Sequence, residues 1–154
     1  MIAPITCDQF KKRLVDLCVR SGLTEFPRKD QDRHILLKSM VLTLSVSAEY
    51  TEREINEHLQ SWLMNIGPAM DLDHAGLRRY LVDEGYLERD RGGLCYRVSV
   101  SEKRQATFES AVEGIDVYET VRVSKEIIKQ KKQDYLRGFL KGIDTTVERE
   151  PDRI

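Results

Sequence analysis

The chain has 154 residues, of which 40% are hydrophobic and 33% charged, and its formal net charge at pH 7 is −1. These values are typical of a globular chain with a modest core, and they exclude a strongly basic protein that coats polyanions. A sequence-specific DNA-binding protein is still compatible with them, because such a protein needs only a local basic face.

The cysteines are few and widely spaced, at positions 7, 18 and 95, and no Cys-x-x-Cys pair occurs. This pattern favours reduced thiols over a disulfide framework. The first residues lack the long apolar segment of a secretory signal, and no run approaches the roughly 20 apolar residues of a membrane span. The sequence therefore predicts a cytoplasmic protein.

Two helices are predicted in the first third of the chain. Thr6 and Gln9 have the spacing of a capping box, and apolar residues follow at helical spacing until the predicted stop at Gly22. From about residue 32 to 45, "DRHILLKSMVLTLS" is apolar over a wide arc. This second segment is predicted to be the central buried helix.

A short candidate edge strand, "VSAEY", precedes the next helix. Thr51 and Glu54 form another capping box there. The apolar residues that follow have the spacing of one helix face: Ile55, Leu59, Trp62 and Leu63. Trp62 is therefore interpreted as a core residue and not as a platform on which bases stack.

The next helix is predicted to begin at Asp71 or Asp73 and to end at Gly85. Successive residues of a helix are rotated by 100°, which places apolar residues on one side and mainly small or charged residues on the other. Met70, Leu77 and Leu81 share the first side, and Ala75, Gly76, Arg79, Val82 and Asp83 lie roughly opposite. The segment "GYLERDRGGLCYRVSV" then predicts a strand, a tight turn and a second strand.

The order of these elements is helix, short strand, helix, helix and hairpin, which is typical of a winged helix-turn-helix. The predicted fold is mainly α with a small β-hairpin. Its winged helix-turn-helix core is assigned to residues 26–100. Residues 1–25 and 101–154 are predicted to be N- and C-terminal helical extensions.

The presumed reader helix, at about residues 72–84, carries the first candidate DNA contacts. In this interpretation Arg79 enters a major groove beside the small residues Ala75 and Gly76, and Arg78 holds the flanking backbone. A competing interpretation pairs Arg79 with Asp83 at i+4 and Arg78 with a neighbouring acid, on a solvated helix. The sequence leaves both interpretations open.

The hairpin, at about residues 86–98, is the presumed wing. Arg89 and Arg91 flank its glycine-rich tip, where a wing meets phosphates or a minor groove, although ordinary turn polarity accounts for them equally well. Thr51 completes the set of candidate DNA contacts. Several glutamates lie on the helix that follows Thr51, and DNA repels them because it is a polyanion. Weak and salt-sensitive binding to double-stranded DNA is therefore expected.

No catalytic or metal-binding pattern is found in the sequence. The three histidines are scattered, no Cys-His spacing resembles a zinc site, and no Gly-x-Ser-x-Gly, Walker or Gly-x-Gly-x-x-Gly motif occurs. No enzyme activity, metal or cofactor is expected.

The segment after residue 101 predicts a homodimer. A stretch of lysines from 125 to 132 is interpreted as a solvated basic face or, alternatively, as a phosphate contact. The apolar residues of the C-terminal helices lie outside the core assigned to residues 26–100. Pairing between two chains is one way to bury them, and the helix at residues 7–20 is expected to contribute to this pairing. They could equally fold back on their own wing. These residues are Phe108, Val112, Ile115, Tyr118, Ile128, Tyr135, Phe139 and Leu140.

Three stretches, "FPRKDQDRHILL", "YTEREINEHL" and "DHAGLRRYLVDEGYLERDRGGLCYRV", resemble a family of prokaryotic domains of unknown function. That family occurs alone and also fused behind ArsR-like helix-turn-helix regulators. The resemblance covers about residues 26–98 and implies a winged-helix-like domain linked to transcription. A DNA-binding transcription regulator is therefore expected, and a non-catalytic winged-helix module for protein–protein interaction is the alternative.

Overall fold

The computed structural model describes residues 3–20, 24–67 and 70–153, with side chains described up to residue 140. Residues up to Val121 form one compact unit, and residues from Arg122 form a second. The elements in chain order are α1 (Cys7–Val15), a π-helical turn (Asp16–Arg20), α2 (Asp30–Val41), α3 (Glu52–Asn65), α4 (His74–Asp83), β1 (Leu87–Arg89), β2 (Tyr96–Val98), α5 (Glu102–Thr107), a 3₁₀ helix (Ser110–Gly114) and α6 (Val117–Arg153). The chain is thus mainly helical with one small antiparallel hairpin, as predicted.

Both predicted capping boxes are confirmed. The Thr6 hydroxyl accepts from the Gln9 amide at 3.1 Å, and the Gln9 side chain accepts from the Thr6 amide at 2.9 Å. Thr51 and Glu54 repeat this exchange at 3.1 and 3.0 Å. These bonds satisfy amides that have no partner inside the helix, so each box sets where its helix begins. The predicted stop at Gly22 lies outside the described residues.

The central buried helix is confirmed as α2, although it ends at Val41 and not near residue 45. Its Ile35, Leu36 and Leu37 side chains are fully buried. The amide of Leu44 bonds to the carbonyl of Val41 at 3.0 Å, three residues back, and such a tight turn ends an α-helix. The length of the helix was overestimated because apolar residues continue past its end.

A bidentate ion pair joins α1 to α2. The Arg13 guanidinium donates to both carboxylate oxygens of the buried Asp32, at 2.8 and 2.9 Å. These hydrogen bonds hold the pKa of Asp32 below its ordinary value, against the opposing effect of burial. The pair orients the two helices while the apolar face of α1 packs into the core.

The hairpin consists of β1 and β2, with Leu87 opposite Val98 and Arg89 opposite Tyr96. The candidate edge strand before α3 is reduced to one residue. Tyr50 pairs with Tyr96 through two backbone hydrogen bonds of 2.8 and 2.7 Å. This bridge fastens the connection between α2 and α3 to the hairpin.

The segments on either side of residues 26–100 contribute to the same core. Phe10 of α1 meets Phe108 edge to face, with ring centroids 5.9 Å apart. Val112 and Val121 are also buried. The predicted domain boundaries at residues 25 and 100 stay a prediction. Residues 108 to 121 pack into the core of their own chain, whereas the two arrangements that the sequence left open placed them against a second chain or against the wing.

Candidate nucleic-acid interface

Helix α4 buries one side and exposes the other, as the residue spacing predicted. Leu77 and Leu81 are fully buried. The Asp73 side chain accepts from the Gly76 amide at 2.9 Å and so caps the first turn. Ala75 and Arg79 are exposed on the opposite side. The orientation of the helix therefore makes the Arg79 side chain available to a partner.

The Arg79 guanidinium has no hydrogen-bond or ion-pair partner among the residues described here. In particular, no ion pair joins it to Asp83, so the i+4 pairing that the competing interpretation required is not formed. An exposed arginine without a partner keeps all of its donors available for a phosphate or a base edge.

Arg78 is held against α3. Its guanidinium donates to the Asn56 side chain and lies 3.5 Å from a Glu52 oxygen, and only 20% of the side chain is exposed. This pairing with a neighbouring acid is the one that the competing interpretation expected for Arg78. The two adjacent arginines consequently differ, since Arg78 joins two helices while Arg79 stays available.

The hairpin turn is organised by Asp90. Its carboxylate accepts from the amides of Leu94 at 2.8 Å and Cys95 at 3.2 Å. The amides of Cys95 and then Leu94 lower the pKa of Asp90, because they stabilise the ionised form. Gly93 closes the turn with a φ of +69°, a conformation that favours glycine. Arg91 is exposed in this turn.

Arg89 lies along the hairpin towards the turn. Its guanidinium is 6.0 Å from the centre of the Tyr96 ring, within reach of a cation–π contact. It also lies so close to Gly93 that a Cβ atom there would clash with it. The glycine therefore serves both the backbone of the turn and the placement of Arg89.

A groove of about 400 Å³ separates α4 from the hairpin, and we call it the α4–hairpin groove. Four of the predicted contacts line it together: Ala75, Arg78, Arg79 and Arg89. The remaining lining residues are Glu52, Val82, Asp83 and Tyr96. Three arginines face two acids, so one positive charge is in excess in this groove.

The other three predicted contacts are not lining residues of this groove. Thr51 is exposed and its hydroxyl serves the cap of α3. Gly76 is half-buried, and a Cβ atom there would stand 2.9 Å from Leu72 Cδ2, the end of a side chain that can shift. Arg91 stays in the exposed turn.

Two residues of the site were missed by sequence reasoning. Asn56 binds Arg78 from α3, and the Tyr96 hydroxyl donates to Glu52 at 3.2 Å. These partners are 22 and 44 residues apart in the chain. No local spacing pattern could have found them, because the contacts exist only once α3, α4 and the hairpin have packed.

The arginines of the α4–hairpin groove offer donors to an anion, and in the described part of the chain no three histidine, cysteine or carboxylate side chains come together as metal ligands. Within the same residues no helix has the length and hydropathy needed to cross a membrane. Cys7, Cys18 and Cys95 are all half-buried.

Comparison with known proteins identifies one family. No curated protein and no solved structure matches the chain significantly. Residues 22–98 match a family described as "Uncharacterized protein conserved in bacteria (DUF2087)". This range contains α2, α3, α4 and the hairpin, and with them all the residues that line the α4–hairpin groove. The chain belongs to this family of bacterial proteins.

Proposed function

We propose that the protein is a winged-helix DNA-binding transcription regulator that places α4 in a major groove and the hairpin against the adjacent backbone. The observation that carries this proposal is the exposed Arg79, which has no partner among the described residues and faces a groove shared with the hairpin. In this arrangement the protein binds and does not catalyse.

The arrangement of the elements supports the proposal. Helices α3 and α4 pack on each other, and α4 leads directly into β1. The backbone bridge between Tyr50 and Tyr96 ties the segment before α3 to the hairpin and so restricts the movement of the hairpin. In this arrangement α4 can enter the major groove of DNA while the hairpin, held in place beside it, contacts the DNA backbone.

Arg78 acts in this proposal as a positioning residue. Its bonds to Asn56 and Glu52 hold α4 at a set angle on α3 and also neutralise one acid of the groove. On α3, Glu57 lies 3.4 Å from Arg53, so part of the acidic surface is compensated as well. The net excess of positive charge is nevertheless small, and binding should be weak and sensitive to salt.

The experiment that tests the function is a binding screen of the full chain against genomic DNA fragments at two salt concentrations. A DNA-binding regulator should retain a subset of fragments, and retention should fall as the salt concentration rises. Failure to retain any fragment at the lower salt concentration contradicts the proposal and favours the protein–protein interaction module, for which the paired acids and arginines of the groove would serve equally well.

Arg79→Ala is expected to weaken binding to a retained fragment by about 1–3 kcal/mol, the usual value of a base contact.

Arg91→Ala should weaken binding to all fragments alike and reduce the slope of the salt dependence by about 1, as loss of a phosphate contact does. Fluorescence anisotropy with labelled DNA measures both effects.

Lys12→Ala is the matched control for these variants, because it removes an exposed positive charge from α1, which contributes no residue to the α4–hairpin groove. Its affinity for DNA should equal that of the unmodified chain. If Arg79→Ala and Arg91→Ala also bind DNA with unchanged affinity, the assignment of reader helix and wing is wrong.

We also propose that the chain forms a homodimer through α6. Four large apolar side chains lie close together on this helix and are each more than half exposed: Tyr135, Leu136, Phe139 and Leu140. Exposed apolar clusters of this kind mark interaction surfaces. The additional role predicted for the N-terminal helix has no comparable support, because Phe10 and Leu14 are fully buried in the core of their own chain.

Phe139→Glu is expected to convert the dimer to a monomer at tens of micromolar, because pairing would bury the new charge in an apolar interface. Sedimentation velocity measures the change. Gln130→Glu is the control, because at 100° per residue it places the same side chain on the other side of α6. A monomeric unmodified chain, or an unchanged dimer in Phe139→Glu, contradicts the proposed interface.

A further inference from the structure

A cavity of about 650 Å³ lies between the segment before α1, the first turn of α2 and helix α5. It belongs entirely to the compact unit that ends at Val121. None of the residues that line the α4–hairpin groove takes part in it. Its volume is in the range of sites that bind small molecules, about 300–1,000 Å³.

The lining of this cavity combines an apolar wall with two cations. Pro4, Ile5 and Ala106 supply apolar surface, and Lys103 and Arg104 supply positive charge. Asp30 is the one acid among the lining residues, so positive charge exceeds negative charge there. Lys103 is exposed, and its ammonium group has no partner among the residues that the structure describes.

Arg104 is held in place by its own contacts. Its Nε donates to the carbonyl oxygen of Glu84, its Nη2 lies 3.5 Å from a Glu84 carboxylate oxygen, and its guanidinium lies 5.3 Å from the centre of the Tyr86 ring. Only 14% of the side chain is exposed. A cation that is already ordered loses little conformational freedom when it meets an anion, which favours binding.

His34 stands beside Arg104 in the same lining. Its Nδ1 is 2.7 Å from the Tyr86 hydroxyl, and Arg104 Nη1 is 3.4 Å from the same nitrogen. Burial and then the charge of Arg104 lower the pKa of His34, so its ring is neutral at pH 7. The histidine therefore adds hydrogen-bonding capacity to the cavity without adding charge.

We propose that this cavity binds a small organic carboxylate with an apolar body. The carboxylate lies between Lys103 and Arg104, and the body packs on Pro4, Ile5 and Ala106. Glu84, which Arg104 contacts, is the residue that ends α4. A carboxylate in the cavity places a second anion beside the Arg104 guanidinium, which already contacts Glu84, so occupancy of the cavity acts on the end of α4.

Isothermal titration of the full chain with indole-3-acetate and with indole-3-acetamide tests the site. The two probes have nearly the same shape and differ in charge, so the acid is expected to bind about tenfold more tightly than the amide, as a charge-assisted contact implies. Equal affinity of the two probes, or no heat of binding with either at millimolar concentration, overturns the proposal.

Two variants locate the probe. Ala106→Trp fills the cavity without altering a charge and should abolish binding of indole-3-acetate. Lys103→Gln should weaken it about threefold to fivefold, as loss of an exposed ion pair does. Lys12→Gln, the same exchange on α1, should leave it unchanged. Circular dichroism checks that each variant is folded. Full affinity in both Ala106→Trp and Lys103→Gln excludes this cavity as the site.

The effect on α4 is read from backbone amide signals in nuclear magnetic resonance spectra. Titration with indole-3-acetate should shift the amides of Glu84 and Gly85, because the contact of Arg104 with Glu84 changes. Unchanged signals in a chain that binds the probe overturn the predicted action on α4. Since these titrations contain no DNA, their outcome is independent of the proposed DNA-binding function.

Discussion

Leu77→Ala is expected to lower the free energy of unfolding by about 2–5 kcal/mol, the cost of the lost apolar contacts and of the cavity left in the core. Leu77 is fully buried on the inner side of α4. Chemical denaturation followed by circular dichroism or by the fluorescence of the single tryptophan measures the change.

Arg79→Ala is the matched variant on the same helix. Arg79 is exposed and has no partner among the described residues, so its replacement should change the stability by no more than about 0.5 kcal/mol. The pair of variants separates the two sides of α4, because the first should impair folding and the second DNA binding. A near-neutral Leu77→Ala would mean that α4 is turned the other way.

Trp62→Ala is expected to lower the free energy of unfolding by about 3–5 kcal/mol, which is the largest effect we predict for a single replacement. The Trp62 side chain is fully buried, and its Nε1 donates to the Ser39 hydroxyl at 2.9 Å. Ser39 in turn donates to the carbonyl of Leu36 at 2.6 Å. The tryptophan thus links α3 to the central helix α2 by packing and by a buried hydrogen bond.

Ser39→Ala tests the hydrogen bond separately. It leaves a buried indole N–H without its acceptor and should cost about 1–3 kcal/mol. The same replacement in a Trp62→Phe chain should cost clearly less, because no N–H is left without a partner. Urea denaturation followed by circular dichroism measures all four chains. An equal cost in both backgrounds would show that the hydrogen bond does not stabilise this contact.

The unequal roles of Arg78 and Arg79 bear directly on how the interface would work. The two residues are adjacent in sequence and both were candidate contacts, yet only Arg79 is left without a partner among the described residues. Because Arg78 is bound to Glu52 and Asn56, its loss would alter the packing of α4 on α3 as well as the charge of the groove. Arg79 is therefore the sharper probe of DNA binding.

Features that depend on neighbouring residues were predictable from the sequence. The capping boxes at Thr6 and Thr51, the cap at Asp73 and the glycine-rich hairpin turn each involve residues within a few positions of one another. Their hydrogen bonds form as soon as the local backbone takes its shape. The buried side of α4 was also predictable, because helical periodicity places Leu77 and Leu81 together.

Only the tertiary structure decided which partners these elements meet. Periodicity shows that a helix has an apolar side, but not whether that side packs in its own chain or in another. Val112 and Val121 are buried in the core, whereas Phe139 on α6 is exposed. The partners of Arg78 and Arg104 were hidden for the same reason, since Asn56 and Glu84 lie 22 and 20 residues away in the chain. Such contacts form only when whole helices and strands pack together, so the spacing of residues within one segment cannot predict them.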